Sequence, residues 1–225
     1  MGAIDGNGSV SLIDRVCRAA VELLQLSGAG LSLIVDGQLR GSSGVSEAGI
    51  RVVQELQLSL GEGPCVDAWA RIEAVLEPDL ADPRVVRWPT FAQAAVNAGV
   101  LAVFAVPLHQ GAIRIGVLAL YRDRVGTLSA DELAKALVLA DVATQAVLGL
   151  QAGAPEGSVH ELLAGQPPHW AEIHQATGMT SVQLGVGLDD AFVRLRAHAF
   201  ASERTLRDVA TAVVARRLRL DGTAQ

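Results

Sequence analysis

The sequence predicts an α+β protein in which an antiparallel-sheet domain is followed by a small all-α unit of three helices. Two hairpin signals, Asp36-Gly37 and His109-Gln110-Gly111, each lie between two β-rich runs in the first part of the chain. The composition changes at Gln151–Pro168, where three Gly and three Pro interrupt any periodicity. Beyond this segment the chain keeps helical spacing and carries no strand signal. The predicted division is residues 1–150, a linker at 151–165, and residues 166–225.

The first domain combines helices and strands between two capping-box patterns. Ser11-Leu12-Ile13-Asp14 predicts the start of its first helix, and Ser129-Ala130-Asp131-Glu132 the start of its last. Between them, Gly61-Glu62-Gly63-Pro64 breaks the chain, and the prolines of residues 78–89 predict a loop. The predicted helices cover residues 11–26, 47–57, 65–70, 90–97 and 130–148. The predicted strands cover residues 30–35, 39–43, 72–76, 100–107 and 112–121.

The second domain is predicted to contain helices over residues 169–184, 188–202 and 206–219. Gly185 ends the first of these helices, and Thr205-Leu206-Arg207-Asp208 caps the third. Small residues favour close packing of the helices: Ala176, Gly178, Ala191, Ala197 and Ala210. The predicted core consists of Leu184, Phe192, Leu195, Phe200, Leu206, Val209 and Val213. Because so short a unit buries only a small core, we expect it to be stabilised by packing against a partner chain.

Composition excludes several classes of protein. The chain has 225 residues, 50% of them hydrophobic and 19% charged, which is typical of a folded chain and not of a disordered one. No apolar run reaches the roughly 18 residues of a membrane span. The N-terminus lacks the basic and apolar stretches of a signal peptide, and two cysteines are too few for a disulfide framework. We therefore expect a cytoplasmic protein without a membrane partner.

Charge is distributed unevenly along the chain. The net charge of −6 argues against a general nucleic-acid binder. Within Arg194–Arg219, however, seven arginines face only two acids, Glu203 and Asp208, which leaves an excess of five positive charges. This distribution permits a small basic face in the second domain.

Motifs in both halves match known families. The second half resembles an ANTAR domain over about residues 166–220, on the order and spacing of Ile173-His174-Gln175-Ala176-Thr177-Gly178-Met179, Asp189-Asp190-Ala191-Phe192-Val193-Arg194-Leu195-Arg196-Ala197-His198-Ala199 and Leu206-Arg207-Asp208-Val209-Ala210. The first half resembles a GAF domain over residues 11–150, on Leu60-Gly61-Glu62-Gly63-Pro64-Cys65, Pro78-Asp79-Leu80 and Ile115-Gly116-Val117-Leu118. The tandem is similar to actinobacterial regulators in which a GAF domain precedes an ANTAR domain.

The resemblance implies a transcription antitermination regulator. ANTAR domains bind nascent RNA that carries paired small stem-loops, and so keep a terminator hairpin from forming. GAF domains are small-molecule sensors and dimerisation modules. The RNA-binding candidates are Gln175, Thr177, Arg194, Arg196, His198, Arg204 and Arg207. Arginine suits this role because it contacts phosphates and base edges alike. Thr177 stands where many ANTAR domains carry Lys.

Structural alternatives stand beside these assignments. The arginines could instead lie on a solvent-exposed helix face, where they form ion pairs with acids four residues away, as in Glu203–Arg207. Arg216, Arg217 and Arg219 are favoured as cations at a helix C-terminus. The small residues of the helices could admit close approach of RNA instead of packing together.

The first domain offers few residues for chemistry. Cys65 follows a predicted helix start, which allows a redox or ligand site, although a buried structural cysteine is favoured. His109 lies in a predicted hairpin loop and is poorly placed as a haem ligand. The cyclic-nucleotide pattern of GAF domains is matched only at Asp131-Glu132. Trp69 and Trp88 could line a ligand pocket but favour core packing. The sequence predicts no cofactor, metal site or catalytic set, and the small-molecule ligand stays unknown.

The leading hypothesis is a homodimeric regulator that binds structured RNA and is controlled by a GAF ligand. The helices at 131–148 and 11–26 carry apolar stripes, each of which must be covered by the sheet or by another chain. The resemblance to GAF domains, whose terminal helices commonly pair across a two-fold axis, implies the dimer. The alternatives are a ligand sensor whose helical tail mediates protein interaction, and a DNA-binding regulator that uses residues 206–219. Glycine and proline in the linker predict a hinged joint between the domains, as opposed to a rigid helix or a passive tether.

Overall fold

The computed structural model describes residues 12–35, 38–43, 48–152 and 168–220. It divides into two compact units, Met1–Gly165 and Gln166–Gln225. The helices are α1 Leu12–Leu24, α2 Ala48–Leu60, α3 Pro64–Arg71, α4 Pro89–Asn97, α5 Ala130–Ala152, α6 Pro168–Leu184, α7 Leu188–Ala201 and α8 Leu206–Val214. The strands are β1 Gly28–Val35, β2 Gln38–Ser43, β3 Val75–Glu77, β4 Ala102–Gln110 and β5 Ile113–Arg122. The predicted α+β class, with an antiparallel sheet followed by three helices, is confirmed.

All five strands belong to one antiparallel sheet, in the order β2-β1-β5-β4-β3. Val35 pairs with Gln38, so the first hairpin connects through Asp36-Gly37, which lie outside the described residues. Gln110 pairs with Ile113, and the second hairpin therefore turns at Gly111, whose φ of +59° favours glycine. Both predicted hairpins are present.

Helices cover both faces of this sheet. Helices α1 and α5 pack on one face, where Leu31, Phe104 and Leu118 contribute to the core. Helices α2, α3 and α4 pack on the other face, over the alternating set that includes Val103 and Val117. Because both faces are buried, β4 and β5 are apolar along most of their length.

A buried arginine ties three elements of the first unit together. Arg122, 5% exposed at the end of β5, donates from Nη2 to Leu24 O at 2.8 Å and to Glu132 Oε1 at 2.6 Å. The predicted capping box of α5 is confirmed: Glu132 N donates to Ser129 Oγ, and Ser129 N donates to Glu132 Oε2 at 2.7 Å. Hydrogen bonds from the Ser129 backbone and from Arg122 lower the pKa of Glu132, against the opposing effect of burial. The N-terminus of α5 is thus fixed to the ends of α1 and β5.

The three helices of the second unit pack against one another pairwise. Helix α6 ends at Gly185, whose φ is +64°, and Val186 N donates back to Ser181 O at 3.2 Å. Helix α8 begins at Thr205, whose Oγ1 accepts from Asp208 N at 3.0 Å. The predicted stop at Gly185 and cap at Thr205 are confirmed.

The predicted core of this unit is only partly right. Leu195, Leu206, Val209 and Val213 are buried, whereas Leu184 and Phe192 are half-buried. Phe200 is 72% exposed, so its assignment to the core is wrong. The buried row of α7 is Ala191, Leu195 and Ala199, and Phe200 lies one residue, about 100°, around the helix from it.

Two of the small residues have no packing role either. Ala197 is exposed on α7. A Cβ built on Gly178 would meet nothing within 4 Å, so close helix packing does not explain this glycine. Ala176, Ala191 and Ala210 are fully buried, as predicted.

Several element ends differ from the predicted ones because residues other than glycine adopt positive φ. Ile72, with φ +57°, ends α3, so β3 begins only at Val75. Arg216, with φ +56°, ends α8 five residues earlier than predicted, and Arg217 N donates back to Ala212 O at 2.8 Å. At the end of the first domain, α5 continues through Gln151 and Ala152, which lie in the predicted linker. The rest of that linker lies outside the described residues.

Candidate functional site

Three of the predicted RNA-binding arginines are exposed on the segment formed by α7, α8 and the turn between them. Arg194 lies on the outer face of α7, Arg207 lies in the first turn of α8, and Arg204 lies in the turn between the helices. Arg204 Nη2 donates to Asp208 O at 3.1 Å, which holds its guanidinium beside the start of α8. These side chains present positive charge on one helix–turn–helix segment.

The turn itself positions Arg204. Glu203 adopts φ +52°, Glu203 N donates to Phe200 O at 3.2 Å, and Arg204 N donates to Ala199 O at 3.0 Å. This pair of bonds is a Schellman motif, which folds the chain back onto the last turn of the helix that it ends. Glu203 lies in this turn and outside α8. Glu203 and Arg207 therefore do not face each other one turn apart on a single helix, as the sequence predicts.

Arg196 and His198 are less accessible than the three exposed arginines. Both are half-buried, and the Arg196 guanidinium lies 5.6 Å from the centroid of the Phe192 ring. Burial lowers the pKa of Arg196 from its ordinary value. Arginine titrates so far above neutrality that the side chain keeps its charge at physiological pH. Arg196 therefore keeps its positive charge but is only partly accessible.

The two remaining candidates, on α6, differ from each other. Gln175 is exposed. Thr177 is 1% exposed, and its Oγ1 donates to Ile173 O at 2.8 Å. A surface role for Thr177 is therefore wrong, because it belongs to the same buried face as Ile173 and Ala176.

The arginines beyond α8 also differ from their predicted placement. Because α8 ends at Val214, Arg216, Arg217 and Arg219 follow the helix and do not lie in its last turn. All three are exposed. The interaction with the helix C-terminus predicted for them is correspondingly weaker, since it decays within the last turn.

The interior of the first unit contains buried polar side chains between the sheet and α2. Gln54 Nε2 donates to Ser32 Oγ at 3.2 Å, and Cys65 N donates to Gln57 Oε1 at 2.6 Å. The Cys65 bond orients the Gln57 amide, whose Nε2 is buried without a hydrogen-bond partner among the described residues. A buried donor of this kind could be satisfied by an acceptor on a ligand. It is a polar candidate for the sensor interior that the sequence did not identify.

Cys65 itself has the environment of a structural cysteine. Burial raises the pKa of the Cys65 thiol to about 12, against the opposing effect of the bond with Gln57. The thiol is therefore neutral at physiological pH, which removes the thiolate that redox or nucleophilic chemistry requires. Cys17 is also buried.

The other candidates of the first unit are placed by the sheet and its core. His109 is exposed near the end of β4, paired with Arg114, and thus lies in the strand and not in the predicted loop. Trp88 is buried in the core, as favoured. Trp69 is half-buried, with the Arg114 guanidinium 5.1 Å from its ring centroid. Among the described residues, no group of three or more His, Cys, Asp or Glu side chains could hold a metal ion.

No helix among the described residues combines the length and apolar character needed to cross a membrane.

Several solved structures are similar to part of this chain. A domain of a two-component sensor histidine kinase protein from Sinorhizobium meliloti 1021 is 21% identical, with 63% of this chain and 91% of that chain covered and a TM-score of 0.48. The GAF domain region of a membrane protein from Geobacter sulfurreducens PCA is 18% identical, covering 60% and 90%, with a TM-score of 0.47. A type II free methionine-R-sulfoxide reductase from Thermoplasma acidophilum is 18% identical, covering 61% and 89%, with a TM-score of 0.46. No curated protein matches the chain.

In the architecture a sheet domain precedes a domain of three helices. Family models agree with this division: a GAF domain matches residues 9–148, and an ANTAR domain matches residues 169–214. The chain belongs to the GAF domain family, and its GAF domain is followed by an ANTAR domain. The domain order predicted from the motifs is confirmed.

Proposed function

We propose that the protein is a transcription antitermination regulator whose ANTAR domain binds paired stem-loops in RNA. The observation that carries the proposal is the exposure of three arginines on the helix–turn–helix segment: Arg194 in the middle of α7, Arg204 in the turn and Arg207 in the first turn of α8. Exposed arginines supply the electrostatic part of RNA affinity, and their planar guanidinium groups also reach base edges in hairpin loops. Binding of the stem-loops would hold the transcript in a form that excludes the terminator hairpin.

Two stem-loops are best bound by two ANTAR domains, and the GAF domain supplies a route to a dimer. Exposed apolar side chains lie on both helices of one sheet face: Leu23 on α1, and Leu137, Val138 and Val142 on α5. Pairing of these faces across a two-fold axis would cover them and join two RNA-binding surfaces in one particle. Such a particle gains avidity for a twin hairpin over a single one.

Control by a small molecule belongs to the same proposal. The buried donor at Gln57 Nε2 offers a polar contact in the GAF interior. A ligand alters RNA binding only if it favours one arrangement of the domains over another. The cytoplasm is the compartment in which such a regulator meets nascent transcripts.

The test replaces the three exposed arginines with glutamine in the full chain. We expect Arg194→Gln, Arg204→Gln and Arg207→Gln together to weaken binding to a twin-hairpin RNA. The slope of log Kobs against log salt should fall by about 2 to 3, roughly one per lost phosphate contact. Filter binding at four salt concentrations measures both quantities.

A charge-matched control separates this surface from general electrostatics. Arg51, Arg71 and Arg84 are exposed arginines of the GAF domain, and their replacement by glutamine should leave both affinity and slope unchanged. Equal losses in the two triple variants would place RNA binding elsewhere. Duplex DNA should compete poorly, and competition equal to that of RNA would favour the DNA-binding alternative.

A further inference from the structure

Helix α7 is apolar on two opposite sides. Its inner row is buried and consists of Ala191, Leu195 and Ala199. Its outer side carries a second apolar set, which consists of Val193, Ala197, Phe200 and Ala201. At 100° per residue, the members of this second set lie within about 100° of one another and opposite the buried row. This set is called the outer α7 face below.

The outer α7 face is uncovered in the single chain. Val193 is 57% exposed and Phe200 is 72% exposed. Ala197 and Ala201 are exposed beside them. The outer side of a surface helix usually carries polar side chains. Apolar residues at helical spacing on that side therefore indicate a surface that another protein element covers.

The size of the outer α7 face decides which partner fits it. Two alanines, one valine and one phenylalanine bury far less than the roughly 1,000 Å² of a specific interface between separate proteins. A second copy of this chain needs less area, because the proposed GAF dimer holds its ANTAR domain nearby at an effective concentration on the order of millimolar. The face carries no cation or hydrogen-bond donor for phosphates, so it does not fit RNA. These properties favour a second copy as the occupant.

Charges at the two ends of α7 favour an antiparallel arrangement of two such faces. The first turn of the helix is acidic, with Asp189 and Asp190. The charged residues at the other end sum to zero and are Glu203, Arg204, Arg207 and Asp208. A parallel pair would bring the two acidic ends together, where like charges repel. An antiparallel pair instead places each acidic end beside the arginines of the other copy.

The register of such a pair follows from the position of Ala197. This small residue has no packing role within its own domain, and it lets two helices approach closely. A two-fold axis at Ala197 pairs residues that lie equally far before and after it. Asp190, seven residues before Ala197, then comes level with Arg204, seven residues after it. Phe200 of one copy packs between Val193 and Ala197 of the other.

We propose that the outer α7 face pairs with the same face of a second copy, in an antiparallel arrangement centred on Ala197. This inference rests on the proposed dimer and adds a contact between its two ANTAR domains. Arg204 has two alternative partners in this arrangement, Asp190 of the second copy and RNA. Binding of RNA and pairing of the two faces therefore oppose each other.

The experiment places a cysteine at the centre of the pair in the full chain. Ala197→Cys should form a disulfide between two copies under mild oxidation with copper phenanthroline, seen as a doubled mass in denaturing electrophoresis without reductant. Val182→Cys, at a site 84% exposed on α6, is the matched control and should cross-link about tenfold more slowly. The native cysteines are buried, so the unaltered chain should not cross-link.

Further substitutions in the Ala197→Cys chain test the apolar contact and the register. Phe200→Ser should slow cross-linking about tenfold, because it removes most of the apolar area of the face. Arg204→Glu should slow it roughly threefold by placing an acid beside Asp190, and adding Asp190→Arg should restore the original rate. Saturation with a twin-hairpin RNA should also slow cross-linking, because RNA engages Arg204.

The outcomes separate this inference from the proposed function. A single-chain mass of Ala197→Cys in reductant, by light scattering, would remove the proposed dimer and the pairing with it. A dimeric mass with equal cross-linking rates at positions 197 and 182 would overturn only the pairing, as would an unchanged rate in Phe200→Ser. A charge exchange that fails to restore the rate would overturn the antiparallel register, and an unchanged rate with RNA bound would overturn the shared role of Arg204.

Discussion

At the scale of single residues, burial decides which candidate groups can act. The Cys65 thiol has a pKa raised to about 12 by burial, three units above its ordinary value of 9.0. Each unit lowers the thiolate fraction tenfold near neutrality, so about a thousandth of the ordinary thiolate is present. Desolvation of the thiolate therefore outweighs the stabilisation that the start of a short helix would give it.

We predict that Cys65 is inert toward disulfide reagents in the native protein. In a Cys17→Ala variant, where Cys65 is the remaining thiol, its reaction at pH 8 should be about a thousandfold slower than that of a free cysteine. Unfolding in urea should abolish the protection. A native rate similar to that of the urea-unfolded chain would show that the thiol is accessible and ionised.

The raised pKa also makes the stability of the protein depend on pH. A folded-state pKa above the unfolded value stabilises the fold below pH 9, and this contribution is lost as pH rises toward 12. The stability of the native chain should therefore fall between these pH values, and more steeply than that of Cys65→Ala, as measured by urea unfolding. Equal dependence of stability on pH in the two proteins would contradict the raised pKa of Cys65.

Thr177 and Phe200 show why residue roles were harder to predict than elements. The resemblance to ANTAR domains makes Thr177 an RNA-binding candidate, and hydrophobicity predicts Phe200 in the core. Each assignment depends on which side of a helix faces its neighbours, and in α7 one residue separates the buried Ala199 from the exposed Phe200. A short, alanine-rich helix has too weak an apolar stripe to settle that rotation from sequence.

At the scale of elements, most helices and strands were predictable because their signals are local. The hairpin at Asp36-Gly37, the capping box at Ser129 and the stop at Gly185 each depend on a few neighbouring residues. Ends formed by Ile72 and Arg216 were missed, because these residues carry no preference for the positive φ that they adopt.

Two glycines of the ANTAR domain provide a matched test of this account. Gly185 has φ +64° and Gly178 lies inside α6, and in both cases an added Cβ meets nothing within 4 Å. Gly185→Ala should destabilise the domain by about 1 kcal/mol through left-handed backbone strain. Gly178→Ala should stabilise it by roughly 0.5 to 1 kcal/mol through helix propensity. Urea unfolding followed by helical circular dichroism measures both, and shifts of the same sign would contradict the assigned helix end.

At the scale of the whole molecule, the proposed dimer depends on the exposed apolar face of α1 and α5. Val138 and Val142 are 60% and 44% exposed on α5. We expect the protein to have twice its chain mass of 23.4 kDa at micromolar concentration, by light scattering. Val138→Asp with Val142→Asp should give the single-chain mass, because burial of two unpaired charges opposes association. Val86→Asp, at a site 75% exposed in the loop before α4, is the control. A single-chain mass for the unaltered protein would remove the proposed dimer.

The most direct test of the central claim is a competition measurement between RNAs of defined structure. The full chain is titrated with a twin-hairpin RNA in the presence of a single hairpin, the open strand of the same sequence composition, or duplex DNA of equal length. The proposed function predicts that the twin hairpin binds more tightly than each competitor, with a steep salt dependence. Equal affinity for all four nucleic acids, or none for any of them, would contradict the claim that the ANTAR domain recognises paired stem-loops.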